Sequence, residues 1–363
     1  MARVSSVVRE DARLVVEEMG ETLRQLAGTT MLVTGASGFL CSYLLDVVAT
    51  FNDMNSGAQP PCRVLALDNF KSGLPERIEH LRERPDIHFI RHDVSQPFQP
   101  DEPVDWIIHG ASIASPTIYR LYPLETIDAN VNGARHMLEL ARRGARSMVY
   151  LSTSEIYGDP DPAFIPTPED YRGNVSCTGP RACYDESKRL SETLCTTYYR
   201  LYNTPVKMVR PFNVYGPGQR LDDKRILPDL MSAAVQRQPF VLYSDGRATR
   251  SFCYVRDAVR AMLYVLLSQA NGEPFNIGND TEEISIAGLA ERLSEVVTSA
   301  GAPVEYQVSD DPQYLTDNPQ RRCPDLTKLR AHTPYSPEVN LTEGLTRTLR
   351  SYEELKSGDG NVG

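Results

Sequence analysis

Nothing in this sequence is apolar for long enough to cross a membrane. The longest apolar run, "AMLYVLL" at 261–267, falls far short of the ~20 residues a span requires. The opening stretch, "MARVSSVVREDARLVVEEMGE", alternates short apolar pairs with charges and holds no signal-peptide core. These two absences lead us to expect a soluble, cytoplasmic protein with no membrane partner. No C-x-x-C pair occurs either. The seven cysteines, Cys41, Cys62, Cys177, Cys183, Cys195, Cys253 and Cys323, are odd in number and scattered, which argues against a disulfide framework or a zinc site and for reduced thiols. No block of five like charges forms a tail, and the formal charge of -10 weighs against a nucleic-acid partner. Internal repeats and low-complexity segments are also missing.

What is present is alternation. "TMLVTG" (30–35), "RVLALD" (63–68), "IHFIRHD" (87–93), "WIIHGAS" (106–112), "SMVYLST" (147–153) and "VKMVRP" (206–211) are short, apolar and β-rich, as strands buried on both faces should be. Helical periodicity lies between several of them, most clearly at 125–143 and from residue 182 onward. The pattern predicts an α/β fold, a doubly wound parallel sheet over 29–211. A helical extension, 1–28 with one helix at about 4–27, precedes it. Residues 212–363, with helices at 257–269, 286–299 and 343–356, read as a smaller mixed lobe, interleaved at its boundary, that packs over the strand ends and contacts substrate.

"TMLVTGASGFLCSYLLDVV" reads as strand, glycine turn, helix. Gly35 and Gly38 let the backbone turn sharply and bring a pyrophosphate to the amides and positive dipole end of the helix. Cys41 stands at the third glycine position, which serves helix-to-strand packing and not phosphate contact. Asp68 ends the second strand, where a carboxylate accepts the ribose hydroxyls and repels a 2′-phosphate, so NAD is expected over NADP; nearby Lys71 is a cation able to offset that repulsion. Further on, Tyr184 and Lys188 lie four apart on a helix and share a face. An ammonium within about 4–6 Å, and the positive charge of an oxidised nicotinamide, both favour a phenolate. The pair then reads as a general acid and base held ready by a cation.

"TGASGFL", "LDNF", "STSEIYGDP" and "YDESK" together resemble the extended short-chain dehydrogenase/reductases that modify nucleotide sugars, over roughly residues 30–355. Within that group "STSEIYGDP", "GPRACYDESKR" and "NPQRRCPDL" (318–326) are most similar to UDP-glucuronate decarboxylases. The resemblance implies a Rossmann-like fold, a tightly held NAD, a UDP-sugar substrate, no metal, and a homodimer built on the helix at 125–143 and the Tyr184 helix. It implies that Tyr184 is the base, that Lys188 lowers its pKa and holds the nicotinamide ribose, and that Thr153 orients the 4-hydroxyl. Ser154 and Glu155 would stand beside the reacting carbon, and Arg322 near the substrate carboxylate, with Arg321 solvated. Phe39, Leu40, Asn69, Asp93, Val94 and Ala111 join Gly35, Gly38 and Asp68 as cofactor contacts. Asn213, Tyr243, Arg250 and Asn276 are the implied substrate contacts.

The implied reaction oxidises UDP-glucuronate at C4. The resulting β-keto acid loses carbon dioxide, and the product is a UDP-4-keto-pentose or, after return of the hydride, UDP-xylose. Related 4,6-dehydratases carry an aspartic acid where Ser154 stands, and a serine is a far weaker proton donor. Two departures from the decarboxylases stand out: Cys323 replaces a lysine, and "YGPGQ" (215–219), which is closer to 4-epimerases, has glycine where the decarboxylases have arginine after "GP". A dinucleotide-sensing or scaffold protein is the non-enzymatic alternative, and such proteins typically lose the tyrosine and lysine that this chain keeps.

Overall fold

The computed structural model describes residues 4–297, 302–308, 316 and 319–359. Seven parallel strands form the central sheet: β1 (Thr30–Thr34), β2 (Arg63–Asp68), β3 (Ile87–Arg91), β4 (Trp106–His109), β5 (Ser147–Leu151), β6 (Val206–Pro211) and β7 (Pro274–Ile277). Their order is β7-β6-β5-β4-β1-β2-β3. Six coincide with the predicted stretches. The seventh comes from beyond residue 212, pairing Phe275 with Val209 of β6, so the chain returns there to complete the sheet.

The strands are apolar throughout because both faces are covered. Met31 and Val33 point into one core with α1 (Ser6–Met19), α2 (Phe39–Met54), α5 (Val255–Leu267) and α6 (Leu341–Asp359). Leu32 points into the other, against α3 (Pro123–Ala141) and α4 (Ala182–Tyr202). The alternation repeats along β2, with Val64 and Ala66 on one face and Leu65 and Leu67 on the other. Each such side chain, fully buried, contributes roughly 1.5–3 kcal/mol.

The predicted single helix at 4–27 is broken. Ser5 caps α1 by accepting from the Val8 amide at 3.3 Å, and the helix stops at Gly20, whose φ of 41° is left-handed. A 3-10 segment, Gly20–Leu26, leads on to β1. The helix expected at 257–269 is α5, two residues earlier at each end, and that at 343–356 lies within α6. The one expected at 286–299 is described as Ile286–Val297, its last two positions lying outside the described residues, as does Asn318 of the "NPQRRCPDL" stretch.

The site follows from the strand order. β1 has β2 on one side and β4 on the other, so the helices leaving those strands diverge. A crevice opens at their carboxyl ends.

Candidate active site

The turn after β1 is glycine for reasons of space. Gly35 has φ +72°, and a Cβ there would lie 2.8 Å from the backbone of Ala111, just beyond β4. Its amide donates to the Leu67 carbonyl at 2.9 Å, which holds the turn across the end of β2. Gly38 caps α2, whose first-turn amides have no intrahelical acceptor. Asp68 is buried and fixed: it accepts from the Ser37 amide at 2.8 Å, Ser37 Oγ at 2.7 Å and the Phe70 amide at 2.7 Å. Gly35, Gly38, Phe39, Asp68, Asn69, Asp93, Val94 and Ala111 all line one cleft. The Leu40 side chain packs on the core beneath, so only its backbone can serve the cleft. Lys71 is turned to Asp93 at 3.4 Å, and its charge is therefore not spent on Asp68. Cys41 is buried with Sγ 3.6 Å from the Thr34 carbonyl and fills the space in front of Gly110. Burial pushes its thiol up to about 12, so it is inert packing. An N-terminal helix dipole, a flush glycine turn and a fixed carboxylate fit a dinucleotide.

Thr153, two residues past β5, caps a 3-10 turn, Ser154–Tyr157, by accepting from the Glu155 amide at 3.2 Å. Tyr184 lies in the first turn of α4 with its ring stacked on Tyr119, centroids 5.2 Å apart and planes 7° from parallel. It also packs on Ile113, which lines the nucleotide cleft, whereas Tyr119 lines a second and larger one. Tyr184 itself is buried and lines neither cleft; it packs between a residue of each. Lys188, one turn on, donates to the Leu151 carbonyl at 2.6 Å, and its Nζ is 5.8 Å from the Tyr184 ring centroid. Burial pushes Lys188 down to about 7. It pushes Tyr184 up, beyond what hydrogen bonding by Thr153 offsets. Desolvation thus outweighs both the Thr153 hydrogen bond and the charge of Arg225, the groups that lower Tyr184.

The larger cleft, of about 1280 Å³, is lined by Glu155, Arg181, Asn213, Tyr243, Arg250 and Arg322, among others. Arg322 grips Glu155 with both Nη atoms, at 2.5 and 2.8 Å, and Arg181 donates to the same carboxylate. Burial opposes the charge on Glu155, but Arg181 and Arg322 outweigh it and hold the carboxyl far below its usual range. Arg250 joins them by strand register. Arg321–Arg322 pairs with Thr249–Ser251 so that Arg322 faces Arg250, and burial with the neighbouring Arg322 lowers Arg250 to about 10. Arg181 and Arg322 thus bind Glu155, Arg181 with Asp185 also at 3.8 Å, while Arg250 beside them donates to the carbonyls of Thr249 and Pro319, both at 2.7 Å. Arg321 turns outward to Glu283 at 2.7 Å.

Residues 31–278 match the NAD dependent epimerase/dehydratase family. The chain belongs to that family. Its similarity to UDP-glucuronic acid decarboxylase 1 of Arabidopsis thaliana is 37% identity over 322 residues, 89% of this chain and 69% of the relative. With the Xenopus tropicalis protein of the same name it shares 36% over 324 residues, covering 89% and 72%. Among solved structures, a Bacillus cereus UDP-glucuronic acid 4-epimerase in complex with UDP-glucuronic acid and NAD superposes with a TM-score of 0.73 at 26% identity, over 90% of this chain and 100% of that one.

One expected substrate contact of this epimerase/dehydratase chain is corrected. Asn276, in β7, is fully buried, and its side-chain amide is engaged by Tyr157 Oη at 2.7 Å and the carbonyls of Thr167 at 2.8 Å and Asp325 at 3.1 Å. It ties Tyr157 and Thr167 to Asp325 and lines neither cleft. Asn213 does line the cleft, at φ 40°, with Nδ2 bound to the Ser251 carbonyl at 3.0 Å. Three cleft residues went unassigned in the sequence. Arg181 sits inside "GPRACYDESKR" but owes its place to an ion pair 26 residues away. Arg225 lines both clefts; its only signal was membership of a basic "KR" pair. Tyr119 gave no signal of its own.

Proposed function

We propose that this chain is an NAD-dependent UDP-glucuronate decarboxylase. The observation that carries the reading is the guanidinium cluster: Arg181 and Arg322 bound to Glu155, with Arg250 in register beside Arg322, lining a large cleft next to Tyr119 and the Tyr184 stacked on it. A neutral hexose gives such a floor no reason to exist. A uronate carboxylate and a diphosphate do, since guanidinium forks suit both.

NAD, when bound, accepts the hydride from C4 and brings the positive ring charge that favours the phenolate. Tyr184 takes the proton of the 4-hydroxyl, which Thr153 holds by a second hydrogen bond. Lys188, fixed on the Leu151 carbonyl, carries the ribose. The C4 ketone so formed makes the sugar a β-keto acid, whose carboxylate leaves as carbon dioxide; the bond electrons pass into the enolate of the ketone, which takes a proton from water at C5. Arg322 anchors that carboxylate. Glu155, held ionised, is the counter-ion that aims Arg181 and Arg322 and not a proton donor. Ser154, buried at the start of the 3-10 turn, cannot supply the acid that a 4,6-dehydratase needs. Asn213, Tyr243 and Arg250 take the nucleotide and diphosphate, and residues 29–211 and 212–363 divide cofactor from substrate.

A uronate 4-epimerase is the second reading, favoured by Gly218. Purified protein incubated with UDP-glucuronate, with products resolved by mass, separates the two: loss of carbon dioxide is expected, and an isomer of unchanged mass would replace decarboxylase with epimerase. Tyr184→Phe should leave NAD bound and abolish C4 oxidation; substantial turnover by that variant would remove Tyr184 as the base.

The assembly is a homodimer through α3 and α4. Leu124 and Ile127 on α3, and Leu190 and Leu201 on α4, are exposed on helices that pack together, which supports a four-helix interface. Leu124→Lys with Leu201→Lys should sediment as a monomer. The seven unpaired cysteines support a reducing, cytoplasmic setting.

A further inference from the structure

Arg77 lines neither cleft, and no step above uses it. It ends the short turn Pro75–Arg77 after β2, in the cofactor lobe. From there its guanidinium spans two elements: Nη1 donates to the Pro217 carbonyl at 3.2 Å and Nη2 to Ser42 Oγ, in α2, at 3.0 Å. Nε is buried without a partner.

The guanidinium, Nη1 foremost, occupies the space that a side chain at Gly218 would need. A Cβ at that position, where φ is +82°, would fall 0.8 Å from Nη1 and 1.8 Å from Cζ. This is the glycine of "YGPGQ" that stands where the resembling decarboxylases have arginine. The cation absent from position 218 is therefore supplied from position 77, across the lobe boundary. Both segments that Arg77 joins are walls of the nucleotide cleft. Gly73 and Leu74 line it from the β2 side, and Gly218, Gln219 and Arg220 from the other. A second tie, Arg220 Nη1 to the Ser72 carbonyl, is long at 3.5 Å. Tyr352 Oη holds the far flank through the Gln219 carbonyl at 2.5 Å.

We propose that Arg77 is a positioning residue that pins the 216–220 loop over the nucleotide cleft and so retains NAD through a turnover. This rests on the reading that the hydride taken at C4 is returned in the same site: if the reduced cofactor escaped first, the sugar would be left as the ketone. The pin predicts slower cofactor exchange and a lower share of keto product.

The test is exchange of bound NAD from the purified holoenzyme, diluted into excess etheno-NAD and followed by fluorescence. Arg77→Gln should exchange about tenfold faster, the size expected for a lost hydrogen bond to a charged group. Arg77→Lys, able to reach one acceptor at a time, should fall between. Gly218→Ala displaces the guanidinium, and Arg77→Gln with Gly218→Ala should be no faster than the faster single variant if both act through one contact. With UDP-glucuronate, Arg77→Gln should release a larger fraction of UDP-4-keto-pentose relative to UDP-xylose. Should Arg77→Gln fold poorly, Ser42→Ala removes the Nη2 acceptor, together with a local bond to the Phe39 carbonyl at 3.1 Å, and should still raise exchange. Unchanged exchange in folded, NAD-loaded variants overturns the pin alone; wild-type protein that holds no NAD overturns the pin and the cofactor reading together.

Discussion

At the scale of single residues, Glu155 is the most constrained group in the cleft. Its carboxylate binds two guanidinium groups directly, and one of them, Arg181, has a second carboxylate, Asp185, at 3.8 Å. Replacing it by glutamine removes the charge and keeps the shape, so Arg181 and Arg322 lose their aim while the cleft becomes more cationic. Glu155→Gln should therefore bind UDP-glucuronate at least as tightly as wild type in calorimetry, yet decarboxylate slower by on the order of 10²-fold, the scale of a mispositioned catalytic group. Equal losses of binding and turnover would show that Glu155 contacts substrate directly. Much of this site was legible in the sequence, because Tyr184, Lys188 and Thr153 sit in short motifs whose spacing a helix or strand end converts directly into proximity. Arg181 and Tyr119 were not legible. Their places depend on how a 3-10 turn, a helix start and a helix from another crossover meet, and no local spacing encodes that. Asn276 misled for the converse reason: a polar residue at a strand end reads as a ligand contact until its buried partners are known.

At the scale of elements, the six strands of the first lobe were legible because burial on both faces makes each one a continuous apolar run. The seventh was not, being four residues long and separated from its neighbour β6 by a lobe. The docking of α1 was also hidden. Its anchor is Asp11, fully buried in a helix whose outer face is charged, and an aspartate there reads as solvated. Asp11 accepts from Tyr43 of α2, from Tyr254 Oη at 2.7 Å and from Arg347 of α6 at 2.5 Å. One carboxylate thus joins the extension, the phosphate-turn helix and the last helix. Burial raises its pKa, and the three partners pull against that shift. Asp11→Ala would leave two buried hydroxyls without their acceptor and Arg347 with Glu10, at 3.1 Å, as its remaining carboxylate. The expected cost is about 3–5 kcal/mol, read as a fall in the urea midpoint at constant slope. A loss below about 1 kcal/mol would mean that apolar packing by Val8, Ala12 and Val15 alone holds α1 in place.

At the scale of the whole molecule, groups buried for packing or chemistry set how stability varies with pH, and two classes act with opposite sign. Burial lowers Lys188 to about 7 and Lys207 to about 8, from 10.5. Between those values the unfolded chain binds more protons than the native one, so stability rises with pH, by about 1.4 kcal/mol per pH unit for each proton of difference. Burial raises Cys41, Cys62 and Cys323 from 9.0 to about 12, and Cys195 and Cys253 further still. Once pH passes 9.0 the unfolded chain releases these thiol protons first, the native state binds more, and stability falls. Five thiols against two lysines make the second slope the steeper, and half-titration of the thiols at 9.0 already offsets both lysines. Thermal unfolding under reducing conditions should therefore show a midpoint that climbs from pH 7, turns over close to pH 9 and then drops sharply. Lys207→Met separates the two classes: Lys207 donates to Ser147 Oγ at 2.7 Å inside the second core, away from the catalytic groups, and its removal should flatten the rise while leaving the fall unchanged. A rise of the same steepness in that variant would mean that Lys207 is neutral in the unfolded chain as well, or hydrated in the native one, and would return the whole climb to Lys188.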